Sequence, residues 1–444
     1  MTHAKTHWFD DARCRPLDIH VTSYNPIVDS CMYALIDLMD AKLGPQWRRG
    51  HANRDQVLEH LKVVTLELFR RRNSNGLKFG IRYSRDKRRW NKKQLPARYN
   101  ALGLRRVVLV QIIDGLTTLG FIEHWGGRTH PTRRWQQSRM RAKAPMLKLL
   151  KDHGVTVMMI ERARNEETVF LSEKRKLSVT TGARLKHPVK QRLTYTDTPQ
   201  AVGMRSEIDR YKNLLAAHRV EHPKTTWPPA DVLNLYRVFN NSPAFDLGGR
   251  LYWPPWQQLS EKERAKVLLD GQPTVELDFS CYQIRLLYAR HGIDYADDGY
   301  RLPRFSGKLD RQICKKLVLA VLNADSERSA LQAVHKWFRQ EPKYKRHWKA
   351  KGIKLRVLLD ALIDKHKPIA TDFCTGIGLK LMKQDADICM AIIDQFVRQD
   401  KPILTVHDSF IVKQQDKGLL KQTMKTQFEY KTGITVSDLD CLIH

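Results

Sequence analysis

Acidic residues are scarce in this 444-residue chain, which has 47 Asp and Glu against 78 Lys and Arg and a formal net charge of +31. Long apolar runs are also missing: no stretch reaches the roughly 18 apolar residues of a membrane-spanning helix, so no membrane association is expected. Residues 1–16 lack the apolar segment of a secretory signal peptide. The cationic excess favours a polyanionic partner, nucleic acid first and an acidic membrane surface second.

Cysteines are few and scattered, at positions 14, 31, 281, 314, 374, 389 and 441, and none forms a Cys-x-x-Cys motif. Their odd number argues against a complete disulfide framework. We therefore expect reduced thiols and a cytoplasmic protein, in a bacterial or phage-infected cell.

Two short segments place an aspartate where a strand turns. In residues 275–289 a strand pattern ends at Asp278 and a helical pattern follows, and in residues 403–412 two β-branched runs flank His407-Asp408-Ser409. The second pattern predicts a tight hairpin with Asp408 at its tip. Carboxylates on adjacent strands suit two Mg²⁺ or Mn²⁺ ions that clamp the oxygens of a phosphoryl transfer. The alternative is an ordinary α/β domain with two turn aspartates.

A third segment, residues 311–323, predicts a helix with two cations on one face. Arg311, Lys315, Leu319 and Asn323 are spaced four residues apart, which places them on the same side of the helix. Two cations one turn apart can hold a triphosphate through charge-assisted hydrogen bonds. A basic helix that simply faces solvent is the alternative.

Over roughly residues 245–444, these segments resemble the family A DNA polymerases and the related single-subunit phage RNA polymerases. The resemblance is carried by Asp278-Phe279-Ser280 with Gln283, and by His407-Asp408-Ser409. It implies an α+β fold, a right-hand polymerase with an antiparallel palm sheet and helical fingers inserted at about 305–370. It also implies two ions held by Asp278 and Asp408, the backbone carbonyl of Phe279 as a further ligand, and His407 near the primer terminus.

The same resemblance assigns roles to cationic and amide side chains around the two acids. It implies that Arg311 and Lys315 bind the incoming nucleoside triphosphate. It implies that Arg250, within Gly248-Gly249-Arg250-Leu251, and Gln384 contact primer and template.

Sugar and base selection match the family less well. DNA-making members carry Glu and RNA-making members carry Gly at the position of Gln283, where the residue meets the sugar. Asn323 stands in place of the usual Tyr, and Leu319 in place of the usual aromatic. The resemblance therefore implies a preference for dNTPs with weak discrimination against NTPs.

Residues 51–145 resemble a winged helix-turn-helix module, with a helix at 104–119 and strands near 121–125 and 133–140. Residues 81–110 contain ten Lys and Arg and a single acidic residue, Asp86. Phosphate contacts need only cations, so we expect backbone binding more than base readout. A basic helical hairpin without groove contact is the alternative. The cations expected to bind DNA are Arg105, Arg106, Arg128, Arg133, Arg134 and Arg139.

We predict four regions: an N-terminal helical segment (1–50), the possible winged helix (51–145), a basic helical and thumb-like region (146–240), and the palm with its fingers (241–444). Helices are expected at 204–218 and 378–397, and a closing strand at 434–436. Clustered acids of a proofreading exonuclease are not found upstream of the palm.

The expected function is template-directed nucleotidyl transfer by a DNA polymerase of a phage, plasmid or other mobile element. Its partners would be template and primer nucleic acid and nucleoside triphosphates. The alternatives are an RNA polymerase or primase on the same palm, and a non-catalytic DNA-binding replication initiator.

Overall fold

The computed structural model describes residues 14–48, 54–75, 80–91, 95–126, 137–174, 190–240 and 242–443. Its helices are α1 Pro26–Leu43, α2 Arg54–Asn75, α3 Arg106–Thr118, α4 Ala144–Asp152, α5 Pro199–Ala217, α6 Pro229–Val232, α7 Glu261–Arg264, α8 Tyr282–Arg290, α9 Lys308–Asn323, α10 Glu327–Gln340, α11 Pro342–Ala350, α12 Leu355–Lys365, α13 Gly378–Arg398, α14 Lys417–Thr432 and α15 Leu439–Leu442. Its strands are β1 Arg15–Pro16, β2 Val21–Thr22, β3 Ile81–Tyr83, β4 Ile122–Trp125, β5 Ser138–Ala142, β6 Glu161–Arg162, β7 Val169–Lys174, β8 Lys190–Leu193, β9 Val220–Glu221, β10 Tyr236–Asn240, β11 Gly248–Tyr252, β12 Leu268–Leu269, β13 Gln272–Asp278, β14 Ile403–Val406 and β15 Ser409–Lys413.

Buried apolar side chains form two cores. The first draws on residues 21–160 together with Ala230, and the second on residues 169–443. Side chains from both sides of residue 50 share the first core, and residues 169–240 share the second core with the C-terminal region. The apolar packing therefore divides the described residues near residue 165. The limits of the four predicted regions remain predictions.

The first core lies against a small sheet of order β1-β3-β5-β4. Strand β5 pairs antiparallel with both β3 and β4, and β1 runs parallel to β3. The apolar stripe of α3 (Val108, Leu109, Ile112, Ile113 and Leu116) is buried, as its helical spacing predicts. The segment between β4 and β5, residues 127–136, lies outside the described residues.

The second core is built around a five-stranded sheet of order β14-β15-β13-β12-β9, in which every neighbouring pair is antiparallel. A mixed sheet of order β11-β10-β7-β8 completes the C-terminal part, with β10 parallel to β7 and antiparallel to β11. Helix α13 packs against β11, α5, α8 and α14. This mixture of helices and small sheets is compatible with an α+β class.

Helix α5 belongs to the second core. Ile208 and Tyr211 are fully buried, and the Tyr211 hydroxyl donates a hydrogen bond of 2.8 Å to the carbonyl of Ile403. The helix expected at 204–218 is therefore a core helix attached to strand β14.

The strand predicted at 434–436 is wrong. Helix α14 ends at Thr432, Gly433 follows with a left-handed φ of 74°, and the backbone N–H of Val436 donates to the carboxylate of Glu429 at 2.8 Å. The side chain of Glu429 thus takes the backbone N–H that a strand would need for pairing.

Within the described ranges, no helix is both long and apolar enough to cross a bilayer.

Candidate active site

Asp278 and Asp408 lie side by side at the ends of neighbouring strands. Strand β13 ends at Asp278, which pairs in register with Ser409, the first residue of β15. His407 and Asp408 form the two-residue turn between β14 and β15, because Val406 pairs directly with Ser409. The N–H of Phe279 also donates to the carbonyl of Asp408 at 3.4 Å. The tight hairpin predicted from sequence is confirmed, and the two acids form what we call the carboxylate pair.

The electrostatics of the carboxylate pair favour a bound cation. Burial, and then the negative charge of Asp408, raise the pKa of Asp278 to about 7, while the ammonium group of Lys315 acts in the opposite direction. The Oδ1 atom of Asp278 is buried without a hydrogen-bond partner among the described residues. Two oxygen ligands forced together in this way fit a hard divalent ion such as Mg²⁺.

The ligand set is small. Across the part of the chain that the structure describes, no group of three or more His, Cys, Asp and Glu could hold a metal ion. Glu276, two residues before Asp278, lies on the same face of β13. It receives two 2.8 Å bonds from Arg264 and a 2.6 Å bond from the Ser409 hydroxyl. Glu276 is thus occupied by an ion pair with Arg264 and a hydrogen bond from Ser409, which leaves the carboxylate pair as the candidate ligands.

His407 occupies a strained position beside the pair. Its φ is 62°, which is unfavourable for a residue other than glycine. Its ring contacts Tyr252 at a centroid distance of 5.8 Å, its buried Nδ1 has no hydrogen-bond partner among the described residues, and burial lowers its pKa. A neutral imidazole with an unused nitrogen is therefore placed next to Asp408.

Arg250 lies on β11 and points to a buried acid that the sequence did not reveal. Its Nε donates to Asp385 on α13 at 2.5 Å. Burial raises the pKa of Asp385 to about 7, Arg250 opposes this effect, and the charge of Asp408 adds to it. The neighbouring residue Gln384 also has a buried side-chain oxygen without a partner in the described structure. The predicted contacts of Arg250 and Gln384 with primer and template stay predictions.

Several buried polar atoms around this site have no hydrogen-bond partner in the described structure, as do others elsewhere in it. In the described residues, most buried polar groups should be hydrogen-bonded, and each exception asks for an explanation. Asp278, His407, Gln384 and Asp385 all carry such an exception, as does the hydroxyl of Tyr282 at the start of α8. The charge of Asp408 acts on Asp278, Tyr282, Asp385 and His407, so these four residues surround the same acid.

The cationic face predicted for residues 311–323 exists on α9. Arg311 is half-buried, and Lys315, Leu319 and Asn323 are exposed, while the opposite face is buried. Lys315 lies near enough to Asp278 to lower its pKa. The predicted helix is confirmed, and its cationic face is directed toward the carboxylate pair.

Two residues that hold this cationic face were not found from sequence. Asp298 accepts hydrogen bonds from Arg311 at 2.7 and 3.3 Å. The ring of Tyr300 lies beneath both cations, 5.3 Å from the Arg311 guanidinium and 5.7 Å from the Lys315 ammonium. The loop between α8 and α9 has no periodic pattern that could have signalled these contacts.

The two predicted sugar-selecting residues differ in whether their side chains already form contacts within the protein. Gln283 is half-exposed on the first turn of α8, and its side chain forms no hydrogen bond with the other described residues. Asn323 donates to the carbonyl of Leu319 at 2.8 Å and lies so close to Gly378 that a β-carbon there would be 2.4 Å from its side-chain oxygen. The end of α9 therefore docks on the start of α13 through Asn323, whereas Gln283 remains available.

The candidate DNA-binding cations of the N-terminal region are only partly described. Arg105 is exposed just before α3, and Arg106 begins that helix and donates to the carbonyl of Arg85 at 3.2 Å. The Arg139 guanidinium lies 6.0 Å from the Trp125 ring centroid. Three predicted wing residues lie outside the described residues: Arg128, Arg133 and Arg134.

No known protein family matches this sequence, and no curated protein is significantly similar to it.

Proposed function

We propose that the protein is a template-directed nucleotidyltransferase, a DNA polymerase of a phage, plasmid or other mobile element that acts by two-metal phosphoryl transfer. The observation that carries the proposal is the meeting of Asp278 and Asp408 at adjacent strand ends, beside the cation of Lys315. Acids this close repel each other unless a cation or a proton lies between them.

Two divalent ions, when bound, would activate the attacking oxygen and stabilise the leaving one. Asp278 and Asp408 would hold them, with the carbonyl of Phe279 as the further ligand that the resemblance suggests. Arg311 and Lys315 would neutralise the triphosphate as charge moves to the departing pyrophosphate. Asp298 and Tyr300 would keep these two cations in place before the nucleotide arrives.

The N-terminal region supports the same proposal as a nucleic-acid guide. The strand order β3-β5-β4 beside α3 is compatible with a winged helix, and Arg105 and Arg106 stand at the start of α3. Arg106 is the one basic residue within α3 and Arg105 directly precedes it, so the positive charge of this helix lies at its first turn. The Arg85 side chain pairs with Asp114 on the same helix at 2.6 and 2.7 Å. We propose that this turn contacts phosphates.

An RNA polymerase or primase on the same fold is the second candidate. The uncharged, unbonded amide of Gln283 favours it, because an amide can form a hydrogen bond with a ribose 2′-hydroxyl. The size of the Gln283 side chain favours dNTPs, because it would crowd a 2′-hydroxyl. Its polar amide permits NTPs, because it could form a hydrogen bond with that hydroxyl.

The test is nucleotide incorporation by the full-length protein on primed and on single-stranded templates, with dNTPs and NTPs compared in Mg²⁺. We expect Mg²⁺-dependent extension of the primed template, with dNTPs preferred. Strong preference for NTPs, or initiation without a primer, would favour the second candidate. The absence of any incorporation with either Mg²⁺ or Mn²⁺ would contradict both.

A further inference from the structure

A cleft runs between N-terminal residues around Arg15 and Arg71 and residues of the β11-β10-β7-β8 sheet with the loops beside it. It consists of two adjoining cavities of about 450 and 250 Å³, which share Arg15, Arg71, Asn234 and Trp253 in their walls. None of the polymerase roles described above uses this cleft.

Trp253 is the most exposed aromatic of the cleft. It is 44% exposed and has a φ of 86°, a backbone conformation that disfavours any residue other than glycine. Its ring lies 6.5 Å from that of Tyr236, and it directly follows Tyr252, whose ring contacts His407. Strain of this kind persists at sites where a side chain must be presented in one direction. The chain thus holds a large aromatic surface open to solvent, next in sequence to a residue whose ring contacts His407.

Two guanidinium groups of the cleft have no carboxylate partner in the described structure. Arg15 donates to the amide oxygen of Gln258 at 2.5 Å, and Arg192 lies over the ring of Phe170 at 4.5 Å. Burial lowers the pKa of both groups.

The acids of the cleft walls are already paired with other cations. Asp18 and Glu166 pair with Arg162, Asp231 with Arg70, and Glu263 with Lys224. The charges of Asp231 and Glu67 act on Arg15, and those of Glu166 and Asp18 act on Arg192, but none of these acids pairs directly with either guanidinium. Partly buried cations without a directly paired carboxylate are costly in the free protein, and an anion from outside would offset that cost.

We propose that this cleft binds an unpaired stretch of a nucleic-acid strand, with a base stacked on Trp253 and phosphates bound by Arg15 and Arg192. Aromatic rings among cations are the usual means of holding single strands without reading their sequence. The proposal rests on the proposed function, because the bound strand would be the template on its way to the carboxylate pair.

The test uses the full-length protein and a fluorescein-labelled oligothymidylate of roughly 16 nucleotides, a length that covers one single-strand site. Fluorescence anisotropy should show binding about tenfold weaker for Trp253→Ala, because one lost stacking contact is worth that much. Trp253→Phe should restore most of it. The matched control is Tyr430→Ala, which removes another exposed aromatic (77% exposed) and should bind as the wild type does.

Salt dependence tests the two cations separately. Arg15→Gln and Arg192→Gln should each reduce the slope of log affinity against log salt by about 0.7, the value for one phosphate contact on a single strand. Arg398→Gln, at an exposed ion pair on α13, is the control and should leave the slope unchanged.

Binding of Trp253→Ala within twofold of Tyr430→Ala would overturn the proposal. Because binding is measured without nucleotides, the two proposals fail separately. If the wild type extends a primer but Trp253→Ala binds the oligonucleotide as tightly as the wild type does, the cleft proposal alone is refuted. Strand binding that depends on Trp253, in a protein that incorporates no nucleotide, would refute the polymerase assignment while the cleft stands as a single-strand site.

Discussion

Arg250 holds Asp385 through a 2.5 Å contact between its Nε and Oδ2, and Asp385 is only 1% exposed. The resemblance to polymerases implies that Arg250 contacts the primer. The ion pair shows that its guanidinium also neutralises a buried carboxylate within the protein. A buried carboxylate that loses its partner is strongly destabilising. Binding and stability must therefore be separated by experiment.

Arg250→Gln should lower the free energy of unfolding by about 3 kcal/mol at pH 8.5 and by less at pH 5.5. The pKa of Asp385 is already raised to about 7, so at low pH a proton can neutralise the carboxylate that Arg250 has left. Chemical denaturation at both pH values measures this. The double variant Arg250→Gln/Asp385→Asn should recover most of the loss. Equal losses at the two pH values would show that Asp385 does not depend on Arg250.

Removal of either cation of α9 should weaken nucleotide binding. Arg311→Gln and Lys315→Gln should each raise the KM for nucleotide by about 10- to 100-fold, the size of a charge-assisted hydrogen bond. Steady-state incorporation on a primed template measures the effect. Lys308→Gln, at the start of the same helix, is the control for the general loss of positive charge. An equal KM for all three variants would contradict triphosphate binding by this face.

Gln283→Gly should raise the use of NTPs relative to dNTPs. The half-exposed amide is large enough to crowd a 2′-hydroxyl, and its removal leaves room for one. Single-turnover incorporation with matched dNTP and NTP gives the ratio directly. Gln283→Glu is the control of similar size and should sharpen the preference for dNTPs. An unchanged ratio in Gln283→Gly would show that another residue selects the sugar.

The metal-free protein should lose stability as the pH rises toward 8. In the folded state the pKa of Asp278 is about 7, whereas in an unfolded chain it is about 3.9. The folded state keeps a proton that the unfolded chain releases between these values, so the contribution is fully present below about pH 4 and is lost as the pH passes 7.

Thermal melts in EDTA between pH 5.5 and 8.5 should therefore show a steeper fall for the wild type than for Asp278→Asn. Added Mg²⁺ should raise the Tm of the wild type at pH 8 more than that of the variant. Parallel pH profiles for the two proteins would contradict the raised pKa of Asp278, which burial and then the charge of Asp408 cause.

Local patterns predicted the parts of the site that one short segment determines. The hairpin at His407-Asp408 and the cationic face of α9 follow from residues within a few positions of each other, where strand and helix periods act directly. The contacts of Asp298, Tyr300 and Asp385 were not predictable in this way, because each joins segments that become neighbours only after folding. The strand prediction for residues 434–436 was wrong although the local pattern favoured it. All three residues are β-branched, but the backbone N–H of Val436 donates to the carboxylate of Glu429.

The limits of the four predicted regions stay predictions, and prolines in the chain do not coincide with a break in its apolar packing. Pro223, Pro228 and Pro229 interrupt the helical pattern, yet Val220 before them and Val232 after them are both buried in the second core. The proline-rich turn lies within a packed unit, because backbone breaks and breaks in apolar packing have different causes.

The most direct test of the carboxylate pair is single-turnover nucleotide incorporation by Asp278→Ala and Asp408→Ala, beside the surface control Asp152→Ala. Both site variants should lose at least about 10³-fold in rate, because each removes one of the two carboxylates expected to hold the metal ions. Their affinity for primed DNA should stay within about tenfold of the wild type, since Lys and Arg carry the binding. Asp152→Ala should match the wild type in both measurements. Substantial synthesis by both site variants would contradict the assignment of catalysis to Asp278 and Asp408.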